Sequence, residues 1–449
     1  MGPTETLAEF IHDVQYKEIP LEAIEMCKRH FLDCMGVALA AVVETPARIV
    51  QEYVREIGGA EEARLIGTDI KTSTPNAAFA NGVMAHAISF DDAAPSHPTV
   101  TILPALLALG EKYRFSGREL LTAQVLGYDI FLRFNAATKK AQAIRLAGWH
   151  PTGFFGTVAA SAVTAKLLHL DVNKTRIAFG IASSISGGLS CNIGTMTMPL
   201  HAGNSARNGI IGGVLAQKGF TAEDEVLEGA FGLLNALCGR NGYDANALTA
   251  DLGKPFKVIS PGINIKFYPS CWGHHRAIDA LLHLVQKYNI SADDVETIEC
   301  DLQPDNPRSR YLSPKTDLQA KYSIGYSLAV ALLDGRLGME QFFPEKVSAA
   351  KTQEVMAKVK HVPQEWSEEG PDEHKVRVRL KDGKEYSYGV KYRKGEAKVN
   401  PLSREELLDK YRTCARRVLS DERIERSIEI IEHLEDFEDI GELMNLVTV

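Results

Sequence analysis

The residues in this chain best suited to proton transfer lie on three separate segments. His97 is in SFDDAAPSHPT and His150 is in GWHPTGFFGT, and each precedes a proline and a stretch of small residues. Lys266 opens KFYPSCWGHHRAIDA, which also carries His275 and Arg276. Imidazoles titrate near neutral pH and are the commonest proton-transfer groups, whereas Lys and Arg bind carboxylates. These residue types predict abstraction of a proton next to a carboxylate, with cations stabilising the enediolate that forms.

The paired carboxylates Asp91 and Asp92 have two interpretations. They lie between two Ala-rich stretches that are predicted to be buried helices, which is where an active site would present charged groups. They could instead cap the following helix, with His86 as a core imidazole. The run from His86 to His97 matches no zinc motif such as HExxH, so we predict no metal site.

Motifs for other mechanisms are missing from the sequence. There is no GxxxxGK[ST], and no GxGxxG stands between a strand and a helix, so a nucleotide cofactor is not expected. The serine-hydrolase motif GxSxG is also absent. Cys271 could be a nucleophile, but a lone thiol near an imidazole is more often a small buried residue. We therefore expect acid/base chemistry.

The elements that must position these residues are predicted to be mostly helices. Apolar periodicity predicts helices over residues 4–56, 117–134 and 153–170. Residues 187–219, rich in Gly, Met and Ser, are predicted to be a long ordered loop that runs into a helix. Amphipathic helical spacing returns from residue 404 onward.

After about residue 256 the pattern changes to a mixture of strands and helices. VETIECDL alternates as a strand does, and YSIGYSLAVALLDG is apolar enough for a buried helix. KVRVRLKDGKEYSYGV alternates on both sides of Asp382 and Gly383, which predicts a β-hairpin. This part of the chain is predicted to be a separate α/β unit.

Composition excludes several classes of protein. The 449 residues are 45% hydrophobic and 24% charged, as expected for a globular protein with two domains. A net charge of −8 without a basic stripe argues against nucleic-acid binding. Seven scattered cysteines, no signal-peptide pattern and no apolar run long enough for a membrane span favour a cytoplasmic location.

The chain resembles the MmgE/PrpD family, which includes 2-methylcitrate dehydratase, cis-aconitate decarboxylase and iminodisuccinate epimerase. The resemblance covers nearly the whole length, and its most specific segments are SFDDAAPSHPT, WHPTGFFGT, GTMTMPLHAGNSARNG, KFYPSCWGHHRAIDA and YSIGYSLAVALLDG. It implies a mainly α fold, in which residues 1–256 and 398–449 form a large helical domain. Residues 257–397 would form an inserted, smaller α/β lid domain. It also implies a homodimer with a cofactor-free site between the domains.

The resemblance also implies roles for particular residues. The positions that match catalytic residues of the family are His97, His150, Lys266 and Tyr326. The positions expected to bind a small carboxylate substrate are Asp91, Asp92, His201, His275 and Arg276.

Three departures from the family pattern bear on the reaction. Met198 stands where the family often has Lys, and Cys271 and Ala93 differ from the residues of cis-aconitate decarboxylases. The leading expectation is therefore a lyase that removes water from a small hydroxy polycarboxylate. An epimerase or other isomerase of a small dicarboxylate is the second expectation, and a decarboxylase is the third. Met198 also motivates a further alternative, a relative that binds a metabolite without catalysis.

Overall fold

The fold is mainly α, as the sequence predicted. The computed structural model describes residues 2–94, 96–138, 144, 147–240, 242–302, 311–363 and 373–449. The structure is 59% helical and 8% strand. It divides into two compact units. The first extends to Ala87 and also includes Asp91–Ile263 and Ser403–Val449; the second comprises Ile88–Phe90 and Asn264–Leu402.

The elements are numbered here in chain order. The helices before residue 264 are α1 (Pro3–Asp13), α2 (Leu21–Ala41), α3 (Thr45–Ile57), α4 (Thr74–His86), α5 (Thr99–Tyr113), α6 (Gly117–Ala137), α7 (Pro151–Leu167), α8 (Val172–Ser184), α9 (Thr197–Gln217), α10 (Leu233–Cys238) and α11 (Asn246–Thr249). The later helices are α12 (His275–Tyr288), α13 (Asp317–Ala320), α14 (Ile324–Asp334), α15 (Pro344–Ser348), α16 (Ala350–Met356), α17 (Arg404–Ala415), α18 (Asp421–Glu432) and α19 (Gly441–Leu446). The strands are β1 (Ala63–Arg64), β2 (Lys71–Thr72), β3 (Val295–Leu302), β4 (Val359–Pro363), β5 (His374–Leu380) and β6 (Glu385–Val390).

Helices α4, α7 and α9 form the centre of the first unit, and small residues let them pack closely. Every residue of α7 except Lys166 is buried, which fits a sequence that is apolar or small on all sides. A side chain on Gly82 of α4 would meet Gly203 of α9 at 2.7 Å, and Gly209 of α9 lies equally tightly against Ala160 of α7. Glycine at these positions therefore permits the helices that carry the polar site residues to touch.

The predicted loop over residues 187–219 is only partly correct. Helix α9 begins at Thr197, so most of this range is helical. Its Gly, Asn and Pro content is unfavourable for a helix interior. Pro199 lies in the first turn, where a missing N–H costs little, and the glycines are required by close packing against α4 and α7. Tertiary packing here overrides local propensity.

The second unit is built around a four-stranded sheet in the order β4-β3-β5-β6. Strand β3 runs parallel to β4 and antiparallel to β5. β5 and β6 form the predicted hairpin, whose turn contains Gly383 at a φ of 86°. Apolar side chains of β3 and β5 share one core cluster with α12 and α14. The predicted strand, hairpin and buried helix of this region are confirmed.

No helix in the described ranges is both long enough and apolar enough to cross a lipid bilayer.

Candidate active site

Four histidines gather in the first unit, each at or near the end of a helix. His86 ends α4, His97 precedes α5, His150 is the N-cap of α7, and His201 lies near the start of α9. The ring of His86 is 4.6 Å from that of His97 and 6.3 Å from that of His150, centroid to centroid. The rings of His150 and His201 are 5.1 Å apart. The structure thus brings the predicted residues His97, His150 and His201 together with His86, and we call this group the imidazole cluster.

Asp91 connects two members of the imidazole cluster. Its Oδ2 atom is 2.7 Å from Nδ1 of His97 and 3.1 Å from Nδ1 of His86. Nδ1 of His97 is also 2.8 Å from the backbone carbonyl oxygen of Asp92. Because carboxylate and carbonyl oxygens accept hydrogen bonds, we assign the proton of each ring to Nδ1, which leaves Nε2 as the basic nitrogen. The side chains of Asp91 and His86 are 0% exposed, whereas that of His97 is 21% exposed. Of the two imidazoles, His97 is therefore the one that a substrate can reach.

Asp92 has a different environment, although it is the next residue. Its Oδ2 accepts hydrogen bonds from the backbone N–H of Thr99, at 3.1 Å, and from the Thr99 hydroxyl. The Thr99 hydroxyl in turn contacts the Tyr128 hydroxyl at 2.8 Å. Burial, and next the charge of Asp91, raise the pKa of Asp92 well above its usual range, which favours the protonated form of this carboxyl. The structure places the Asp92 side chain at the start of α5, on Thr99 and not on an imidazole ring.

His150 and His201 form a pair joined by their ring nitrogens. The two Nδ1 atoms are 3.0 Å apart, so one ring donates a hydrogen bond and the other accepts it. Burial, and next the nearby His86, lower the pKa of His201 to about 4, which makes this ring neutral at pH 7. The backbone N–H of His150 donates to the carbonyl of Gly188 at 3.0 Å, which holds His150 at the helix start. The neutral His201 can accept the Nδ1–H of His150, which leaves Nε2 of His150, 3.5 Å from the Thr152 hydroxyl, as the nitrogen available for proton transfer.

The imidazole cluster also contains a possible set of metal ligands. Within the described residues, ligand atoms of His86, Asp91 and His97 lie within 4.8 Å of one another, close enough to hold a metal ion. The same atoms are at hydrogen-bonding distances from one carboxylate oxygen. Protons on the two Nδ1 atoms account for this geometry, and we interpret the group as a hydrogen-bonded cluster.

Lys266 lies in the second unit, where it meets Ser89. The lysine is 1% exposed. Its ammonium donates to the carbonyl oxygen of Ser89 at 3.0 Å and to its hydroxyl at 3.3 Å. The hydroxyl of Tyr322 donates to the same Ser89 hydroxyl at 3.3 Å. Ser89 has a φ of 56°, a left-handed conformation that is unusual for a residue other than glycine and that often occurs at functional sites. A cation and two hydroxyls converge here, which is a suitable arrangement for binding a carboxylate.

The other predicted residues of the second unit have mainly structural contacts. His275 is fully buried at the start of α12, and desolvation lowers its pKa well below its usual range, so it is neutral. Arg276 forms an ion pair with Glu396 at 3.9 Å. The Tyr326 hydroxyl donates to the backbone carbonyl of Gln341, and burial raises the pKa of this phenol. The structure therefore brings Lys266 together with Tyr322, and it places the Tyr326 hydroxyl on the Gln341 backbone.

Comparison with known proteins identifies the family. The model of the MmgE/PrpD N-terminal domain matches residues 5–246, and that of the C-terminal domain matches residues 268–436. The chain belongs to the MmgE/PrpD family. It is 28% identical to cis-aconitate decarboxylase of Mus musculus, covering 99% of this chain and 93% of that protein. The corresponding enzyme of Homo sapiens is 29% identical, covering 99% and 94%, and that of Aspergillus terreus is 27% identical, covering 99% and 96%.

Within this MmgE/PrpD chain, sequence reasoning missed His86, Ser89 and Tyr322. All three lie in segments that had been singled out, since Ser89 is in SFDDAAPSHPT and Tyr322 opens YSIGYSLAVALLDG. The sequence leaves His86 open to interpretation as a core imidazole, and nothing in its spacing indicates the shared contact with Asp91. Tyr322 precedes Tyr326 by one helical turn, so the segment offered two tyrosines without a signal to separate them. The contacts of the two hydroxyls now distinguish them.

Met198 gives this member of the MmgE/PrpD family an apolar group near the imidazole cluster. It lies on α9 one turn before His201 and is 4% exposed. A thioether contributes volume and polarisability at this position but no charge.

Proposed function

We propose that this protein is a cofactor-independent lyase that removes water from a small hydroxy polycarboxylate. The observation that carries this proposal is the contact of one Asp91 oxygen with Nδ1 of both His86 and His97. It leaves Nε2 of the partly exposed His97 as a base, with a buried negative charge behind the ring. This is how a carboxylate supports the imidazole in other proton-transfer sites, by fixing the tautomer and stabilising the imidazolium that forms.

The proposed reaction uses two imidazoles in different states. Nε2 of His97 takes the proton from the carbon next to a substrate carboxylate. The electrons of that C–H bond form the new C=C bond as the neighbouring C–O bond breaks. Protonated His150, whose Nδ1–H is accepted by the neutral His201, gives its Nε2 proton to the departing hydroxyl, which leaves as water, and His150 becomes neutral. Exchange with solvent then returns one proton to His150 and removes one from His97.

Lys266 is the proposed contact for a substrate carboxylate. Its buried ammonium would stabilise the negative charge that develops as the α-proton leaves, an effect that is strong where water is excluded. The hydroxyls of Ser89 and Tyr322 hold the ammonium and can donate hydrogen bonds of their own.

Decarboxylation is the second candidate, because the relatives reported above are named cis-aconitate decarboxylases. In that reaction, loss of CO₂ would leave a carbanion that an imidazole protonates. The same cluster could perform this step, with the protonated imidazole acting on carbon instead of oxygen.

The test is to incubate the purified protein with citrate, 2-methylcitrate, isocitrate and cis-aconitate in D₂O. Alkene formation is followed by ultraviolet absorbance, CO₂ release by a coupled assay, and deuterium uptake by mass spectrometry. The proposal predicts an alkene from a hydroxy acid, without CO₂. Release of CO₂ from cis-aconitate would establish the second candidate instead. Deuterium uptake without net conversion would contradict both and indicate an isomerase.

Two variants make this test specific. His97→Gln should abolish the reaction, whereas His30→Gln should retain it. His30 is also buried in the first unit, but it packs against Tyr128 with ring centroids 5.7 Å apart and is not part of the imidazole cluster. Equal loss in both variants would show that the effect arises from folding and not from chemistry.

A further inference from the structure

We propose that His86 is a positioning residue, which acts through Asp91 to set the orientation and the proton affinity of His97. This inference rests on the proposed role of His97 as the base. His86 is 0% exposed and takes part in no step of the reaction above. Its Nδ1 nevertheless contacts the same carboxylate oxygen as Nδ1 of His97.

The shared oxygen gives His86 two effects on His97. An N–H donor from His86 fixes one rotamer of Asp91, and the carboxylate in turn holds the His97 ring. The same donor withdraws electron density from the oxygen, so the carboxylate stabilises a positive charge on His97 less than it would alone.

Among the described residues near His97, few charged groups other than Asp91 act on its ring. Burial raises the pKa values of Asp92 and Cys34 well above their usual ranges, which favours their protonated, neutral forms. Burial lowers the pKa of His201 to about 4, so this ring is neutral at pH 7. Asp33 forms an ion pair with Lys410 on α17. Within the part of the chain that the structure describes, the titratable groups near the His86–Asp91 contact on α2, the following loop, α7 and α9 include Asp33, Cys34, Asp92, His97, His150 and His201.

The second nitrogen of His86 supports a role other than packing. Nε2 is buried and has no hydrogen-bond partner among the residues that the structure describes. Native proteins satisfy nearly all buried polar groups, and the exceptions need an explanation. A leucine would fill this position without leaving a polar atom unsatisfied. The contact that a leucine could not make is the donation from Nδ1 to Asp91.

The experiment compares two variants that differ in this donor. His86→Asn places an amide N–H near the position of Nδ1, whereas His86→Leu fills a similar volume without a donor. His30→Leu is the matched control, because it removes a buried imidazole from the same unit. For each protein we would measure kcat, KM and the pH dependence of kcat on whichever of citrate, 2-methylcitrate, isocitrate and cis-aconitate the wild type converts.

We expect His86→Leu to lower kcat at pH 7 by about tenfold to a hundredfold, the lower part of the range for acid/base groups, with KM nearly unchanged. In this variant the rise of kcat with pH should occur at higher pH than in the wild type. The full charge of Asp91 then acts on His97, so a higher pH is needed to deprotonate His97. His86→Asn should stay within about threefold of the wild type, with the rise of kcat at the same pH. His30→Leu should change neither kinetic quantity.

The proposal is overturned if His86→Leu keeps the kcat of the wild type and its rise with pH. It is also overturned if His86→Asn and His86→Leu lose activity equally, in step with a lower melting temperature, because that pattern indicates packing alone.

A second measurement on the full-length protein needs no substrate. In ¹⁵N-histidine-labelled protein, the Nδ1–H signal that disappears in His97→Gln should persist in His86→Asn and be lost to solvent exchange in His86→Leu. If the wild type converts none of the probes, the proposed function fails, and this spectrum still decides the role of His86. An unchanged signal in His86→Leu would refute that role whatever the activity.

Discussion

Replacing Asp91 by asparagine removes the charge behind His97 and preserves the shape of the side chain. Unit charges about 4 Å apart interact by about 4 kcal/mol at an effective dielectric constant of about 20. Nδ1 of His97 and Oδ2 of Asp91 are 2.7 Å apart, so the centres of the two charged groups are separated by a distance of that order. The amide oxygen can still accept one hydrogen bond, which offsets part of the loss. Since about 1.4 kcal/mol corresponds to tenfold in rate, kcat should fall by about a hundredfold to a thousandfold.

Asp92→Asn is the control for this prediction, because it makes the same change at the next residue. Burial favours the protonated, neutral form of Asp92, and its oxygen accepts a hydrogen bond from the Thr99 backbone N–H, which an amide oxygen can also accept. Its kcat should remain within about threefold of the wild type. The assay is the initial rate of alkene formation, with circular dichroism to confirm folding. An Asp91→Asn enzyme with near wild-type kcat, or an equal loss in Asp92→Asn, would refute the reasoning.

Three further predictions follow from other contacts. Tyr322→Phe should raise KM by about threefold to tenfold, because the Tyr322 hydroxyl lies beside Lys266. Tyr326→Phe should lower the melting temperature and leave KM unchanged. Equal KM values for the two variants in steady-state assays would contradict this prediction. Burial lowers the pKa values of His30, His201 and His374 to about 3, 4 and 4 from a usual 6.5. Because the unfolded chain then binds more protons, the free energy of unfolding should decrease as pH falls below about 6.5, and urea titrations at pH 7.5 and 5 that show the reverse would be inconsistent with it. We also propose a homodimer, for which light scattering should give twice the chain mass of 49.3 kDa, and a mass of one chain would exclude it.

The sequence predicted the fold well where periodicity is strong and local. The β5–β6 hairpin and helix α14 were predicted from alternation, a turn dipeptide and an apolar run, all of which act over a few residues. Helix α9 was predicted only in part, because its glycines indicate a loop when considered alone. They are favourable only once α4 and α7 are packed against them, and a single segment carries no information about that packing.

The side-chain contacts of the candidate site could also be predicted only in part from the sequence. His97 and His150 stand out through their position before a proline, but the contact between His150 and His201 joins residues 51 apart in the chain. Asp91 and Asp92 are identical neighbours, yet the side chain of Asp91 contacts imidazoles and that of Asp92 contacts Thr99. Which neighbour turns toward the imidazole cluster depends on the backbone of the connecting loop and not on residue type.

The central claim is that His97, supported by Asp91, removes a proton from carbon in a hydroxy polycarboxylate. The most direct test measures alkene formation from citrate and 2-methylcitrate that carry deuterium on the carbon to be deprotonated, in the wild type and in His97→Gln. We expect a slower reaction with the deuterated substrate in the wild type and no alkene from His97→Gln. An alkene formed by His97→Gln at the wild-type rate would contradict it.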